Sequence, residues 1–135
     1  MDQLYPPLMT LHNIVGTITL LLTLLASVAL LVTARTQVTA NQLLLRGALI
    51  SVSLQFLLGA LLVLVAFVAF GVSYAAQYWL HYLLGFISVG VVSAVTARGR
   101  RAPDAAARRF GATMLGVALL VLVTFLVGEL RPVLF

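Results

Sequence analysis

The chain contains only two imidazoles, and each begins the same short string. Leu11-His12-Asn13-Ile14-Val15-Gly16 is echoed by Leu80-His81-Tyr82-Leu83-Leu84-Gly85. On a helix, a glycine four residues past a histidine lies on the same face. A neutral imidazole is a good metal ligand, and two of them can hold one metal centre from opposite sides. The glycine beside each leaves flat backbone against which a planar ring can lie. His12 and His81 are therefore the candidate ligands, with Gly16 and Gly85 as spacers. Asn13 and Tyr82 directly follow the histidines and are placed to meet polar substituents of such a ring.

The chain has no cysteine. This excludes disulfides, iron–sulfur clusters and covalent haem attachment. Haem b, held by two axial histidines and no covalent bond, is the expected cofactor. A quinone headgroup or a chlorin pigment are the other flat groups such a site suits. Zinc is a poorer match, because it normally takes three or four protein ligands. The alternative role for each histidine is interfacial, bonded to water or lipid headgroups near a helix end.

The elements that must position these residues are read from composition. Hydrophobic residues make up 63% of the chain and charged residues 8%, and the mean hydropathy is +1.18. A soluble domain needs far more charge to cover its surface. Four apolar runs are each long enough to cross a bilayer, which takes roughly 20 residues at 1.5 Å rise. They predict membrane helices at about 7–34, 43–71, 75–98 and 104–129, within one integral membrane domain spanning 1–135. The runs do not alternate polar and apolar residues, as a membrane β-barrel would. The expected fold is all-α, an up-down-up-down bundle of four transmembrane helices. The start of the chain lacks a basic n-region, so no removable leader is expected.

All eight basic residues are arginine. Arg35 and Arg46 flank one turn. Arg98, Arg100, Arg101, Arg108 and Arg109 surround another. By the positive-inside rule both turns face the cytoplasm, and both termini lie outside. Tyr5, Tyr74, Tyr78, Trp79 and Tyr82 then form an aromatic belt at the outer interface. This pattern predicts residence in the cytoplasmic (inner) membrane of a prokaryote. It also turns the net charge of +5 into a topology signal, so no nucleic-acid partner is expected.

Further strings suggest that one helical hairpin was duplicated. Val32-Thr33-Ala34-Arg35 is echoed by Val95-Thr96-Ala97-Arg98. Arg46-Gly47-Ala48 resembles Arg109-Phe110-Gly111-Ala112. On these matches the first hairpin is about six residues longer and projects roughly 9 Å further inward. The two hairpins would be related by a pseudo-two-fold axis along the membrane normal. Below His12 the same helical face carries Gly16, Thr19, Thr23 and Ser27. Below His81 it carries Gly85, Ser88, Val92 and Thr96. Such small and weakly polar residues let membrane helices approach closely and bond to one another. Both histidine faces are therefore expected to point inward, across the diagonal of the bundle. Gln55, mid-way along the second span with Ser51 and Gly59 on its face, should bond to another helix. Glu129, at the outer end of the fourth span, pairs most simply with Arg131.

This plan resembles the four-helix bis-histidine cores of membrane b-type cytochromes. The resemblance implies a small membrane haem protein with a single bis-histidine haem near the outer face. It would transfer electrons as part of a larger redox complex, with lipid and other membrane subunits as partners. The alternative is a cofactor-free accessory subunit of a membrane complex.

Overall fold

The computed structural model describes residues 2–32, 38–99 and 107–134, and every regular element in them is helical. A single 3-10 turn at Asp2–Leu4 leads into α1 (Tyr5–Val32), followed by α2 (Val38–Phe70), the short α3 (Val72–Ala76), α4 (Trp79–Gly99) and α5 (Ala107–Leu134). Four stretches are long and apolar enough to cross a membrane: Tyr5–Val32, Gln42–Phe70, Trp79–Arg98 and Phe110–Leu130. The chain is thus an all-helical protein with the makings of four membrane spans. Arg35, Arg100 and Arg101, which carry part of the topology signal, lie outside the described residues, as do Thr33 and Ala34.

The third span begins at Trp79, later than the apolar run from Ala75 suggests. Gly71 ends α2 with φ of 86°, a left-handed conformation that glycine adopts without steric cost. α3 then makes little more than one turn before Gln77 and Tyr78 bend the chain into α4. Apolar composition alone does not reveal a break of this kind.

α1 packs against both α2 and α5, and α4 packs against the same two helices. α1 and α4 therefore face each other across a diagonal. Alternation of burial follows from this arrangement. Leu43 is 78% exposed, whereas Leu45, pointing the other way, is 1% exposed and joins the core with Leu30, Val92 and Met114. The exposed leucines and phenylalanines of all four long helices form the surface that lipid would cover.

The small-residue stripes do face inward. Gly16, Thr19, Thr23 and Ser27 of α1 are buried, as are Ser88, Val92 and Thr96 of α4. Their hydroxyls differ from expectation, because most bond within their own helix. Thr19 donates to the Val15 carbonyl at 2.8 Å, Thr23 to that of Thr19 at 2.9 Å and Thr96 to that of Val92 at 2.7 Å. A threonine in an apolar interior finds its nearest acceptor one turn back. Two contacts do bridge helices: Ser27 donates to the Gly111 carbonyl at 3.3 Å, and Ser88 pairs with Thr124 at 3.0 Å.

At that Ser27–Gly111 contact α5 comes close to the backbone of α1. A Cβ on Gly111 would lie 2.9 Å from the Leu31 backbone nitrogen and 3.1 Å from the Leu30 carbonyl carbon. Only glycine lets α5 rest on the α1 backbone here.

Candidate functional site

The His12 and His81 rings meet across the diagonal. Their centroids are 6.1 Å apart and their planes 73° to one another. Both line a half-enclosed cavity of about 300 Å³ between the four long helices. Each long helix contributes one glycine to the wall: Gly16 from α1, Gly59 from α2, Gly85 from α4 and Gly128 from α5.

Each imidazole is held by the neighbouring helix at the same sequence distance. His12 Nε2 lies 3.0 Å from Gln55 Nε2, and His81 Nδ1 donates to the Thr124 carbonyl at 2.9 Å; both partners are 43 residues further along the chain. One turn beyond each partner comes a glycine that gives the ring its room. A Cβ on Gly59 would lie 3.1 Å from His12 Cε1, and a Cβ on Gly128 would lie 2.8 Å from His81 Cε1 and Nδ1. Two buried polar atoms in this cluster, His12 Nδ1 and Gln55 Oε1, have no hydrogen-bond partner.

The two glycines expected as spacers are not alike. A Cβ on Gly16 would meet the Gln55 amide nitrogen at 3.0 Å and Phe125 at 3.6 Å, so the Gln55 side chain already covers it. A Cβ on Gly85 would have nothing within 4 Å, because Gly85 faces open cavity. Asn13 and Tyr82 are half-buried in the lining, and the Tyr82 ring lies 6.3 Å from that of His81. Glu129 also lines the cavity and is exposed at its rim. The side chain of Arg131, its expected partner, lies outside the described residues.

Thr124 and Gly128 were not singled out as site residues by sequence reasoning. The available signal was register: they follow His81 at the spacing at which Gln55 and Gly59 follow His12. A backbone carbonyl acting through Thr124 leaves no mark on residue type.

The aromatic residues gather at the same end of the bundle. Tyr5 stacks edge-on against Phe70 at 5.2 Å, and its hydroxyl accepts from that of Tyr74 at 3.3 Å. Tyr74, Tyr78 and Tyr82 follow in a row with centroids 5.9 and 6.3 Å apart. Trp79 projects outward, 63% exposed. Along α1, Tyr5 stands two helical turns, about 10 Å, from His12, while Tyr82 brings the row of rings up to His81.

Chemically, the pair offers ring nitrogens in a largely apolar cavity in which Gly85 is the one lining glycine left uncovered. Two imidazoles bound to a shared ion from opposite sides at about 2 Å each would have ring centres roughly 6 Å apart; here the centres are 6.1 Å apart with His12 Nε2 turned to Gln55. No known protein family, curated protein or solved structure matches the chain significantly.

Proposed function

We propose that the protein is a small membrane b-type haem protein in which His12 and His81 are the axial ligands of one haem. The observation that carries this reading is the facing of two imidazoles across a cavity walled by one glycine from each long helix. The residues fit the group. The ring separation suits two ligands on one iron, and the Gly85 side has free space for the edge of a macrocycle. The cavity is at the small end of the range for ligand pockets, so the Gln55 amide must turn away from Gly16 to widen it. Asn13 and Tyr82 are the polar neighbours for ring substituents. Haem in such a site supplies one-electron transfer. With one ligand pair placed toward one end of the bundle, exchange is with a partner at that face, a quinone or another subunit of a redox complex. An optical spectrum of the detergent-purified chain from a haem-sufficient host tests the reading. The expected result is a Soret band with a sharp α-band on dithionite reduction; a featureless spectrum would leave a cofactor-free bundle.

The same proposal includes a duplicated hairpin in an up-down-up-down bundle, with one offset throughout. Tyr5 and Tyr74, which bond to one another, stand 69 residues apart, and that offset also relates His12 to His81, Gln55 to Thr124 and Gly59 to Gly128. It places Thr96 opposite Ser27, both buried. The Val-Thr-Ala-Arg strings fall out of line at this register, and the six-residue slip they suggested is not needed.

Two expected outcomes follow from these assignments. Gly85→Leu should fill the open wall and lower haem occupancy while leaving thermal stability near that of the parent. Gly16→Leu should displace the Gln55 amide and cost about 1–3 kcal/mol as an overpacked site. Parallel thermal melts and haem-to-protein ratios separate the two. For orientation in the cytoplasmic membrane, single cysteines at Val72 and Gly99 should react with an impermeant thiol reagent from opposite sides, Val72 from outside. Labelling of both from one side would rule out the four-span topology.

A further inference from the structure

The two histidines are held by different kinds of partner. The partner of His81 is a backbone carbonyl, which can only accept, so His81 Nδ1 carries the proton and Nε2 carries the lone pair. That is the tautomer which ligates through Nε2. The ring also rests against Gly128, and no side-chain rotation can withdraw a main-chain oxygen. His81 is preset as a ligand.

His12 is held through Nε2 by the Gln55 side chain. An amide is both donor and acceptor, and its orientation follows from its network. Neither orientation completes the network here. With nitrogen toward His12, the proton on Nδ1 has no acceptor, and with oxygen toward it, Nδ1 keeps an unused lone pair. In both cases His12 Nδ1 and the far atom of the amide stay buried and unpaired, a costly state for polar groups. To ligate through Nε2, as the His81 tautomer would allow that ring to do, His12 must leave Gln55.

Resting on the haem reading above, we propose that the ligands are unequal. His81 holds the iron permanently, while His12 is exchangeable because Gln55 competes for its Nε2. The His12 position then opens to a small diatomic ligand of the carbon monoxide, nitric oxide or oxygen class. The Gln55 amide, in the place taken on the other hairpin by the shorter Thr124, supplies the hydrogen-bonding group facing that ligand. Polarity and hydrogen-bond donors of this kind decide whether a haem pocket takes an external ligand.

The test uses the full-length, haem-loaded protein. Carbon monoxide added to the dithionite-reduced form should shift the Soret band. His12→Ala should retain haem and bind carbon monoxide faster, whereas His81→Ala should lose most of its haem. Gln55→Leu, which removes the competing group, should stay low-spin and bind carbon monoxide about tenfold more slowly, the worth of one hydrogen bond. Gln55→Thr, with the residue of the other hairpin, should do the same with less disturbance of packing. In the haem-free protein, nitrogen NMR of labelled histidine should show an Nδ1-protonated ring that is lost in His81→Ala and unchanged in Gln55→Leu, whereas the His12 signals should shift in Gln55→Leu. A Soret band with equal haem loss in the two histidine variants and no effect of Gln55 would overturn the inequality while leaving bis-histidine ligation standing. A protein that takes up no haem at all would overturn both.

Discussion

Replacing both histidines by alanine is expected to abolish haem retention without preventing insertion into the membrane. The reason is a separation of roles along the chain. Insertion depends on the apolar runs of the four long helices, each of which meets the length a bilayer requires. Neither histidine adds to that. On the haem reading, retention would depend on the imidazoles, His81 above all, since the chain has no cysteine and no other histidine. Truncation to alanine removes the orphaned nitrogen at His12 but leaves the Gln55 amide nitrogen unpaired in its place. Gln55 keeps its amide but loses its partner, and the Thr124 carbonyl keeps its place in the helix. A loss of about 1–3 kcal/mol for each buried group left without its partner is small beside the burial of four helices. The measurement is a haem-to-protein ratio on membranes and on detergent-purified protein, together with protection of the inserted chain from protease. A double variant that retains a low-spin haem spectrum would show that the ligands lie elsewhere.

The second large effect is expected far from the histidines, at the α1–α5 crossing. Gly111→Leu should lower stability by about 1–3 kcal/mol, the usual range for overpacking. Even Gly111→Ala should be damaging. Its Cβ would lie 2.9 Å from the Leu31 backbone nitrogen, and a backbone atom cannot rotate aside as a side chain can. The helices must separate, and the Ser27 hydroxyl then loses the Gly111 carbonyl. Gly116 on the same helix is the control, because a Cβ there meets nothing within 4 Å. Gly116→Ala should be neutral or stabilising by up to about 1 kcal/mol, from reduced backbone entropy. Thermal melts of the three variants in one detergent give the comparison. Equal behaviour at 111 and 116 would mean that α1 and α5 do not touch at Gly111.

Much of this architecture is written in residue type. Four membrane-length helices follow from hydropathy, because a bilayer demands apolar surface along the full length of each span and forbids unpaired backbone. The inward face of α1 was readable from Gly16, Thr19, Thr23 and Ser27, since an otherwise Leu-rich helix has no other reason to align small residues at helical spacing. The repeated strings around His12 and His81 marked the pair as a unit, and the glycine beside each pointed to a flat-walled site. Gln55 was also legible as an interhelical bonding group, because a lone amide in the middle of a span has to be satisfied.

Other features depend on how the helices meet. Hydropathy places a span but not its rotation or crossing point, so the choice of Gly111 as the tight contact over Gly116 could not be read from composition. The end of the second span at Gly71 was legible, but the short α3 and the late start of the third span at Trp79 were not. The bond from His81 to the Thr124 carbonyl is invisible to residue type, because every residue has a carbonyl and only packing chooses which one is reached. The same holds for Gly16 and Gly85, identical in the repeated strings and opposite in surroundings. One is covered by an amide from the next helix and the other opens onto the cavity. Sequence spacing sets which residues share a helix face, and the relative placement of four faces sets which of them touch.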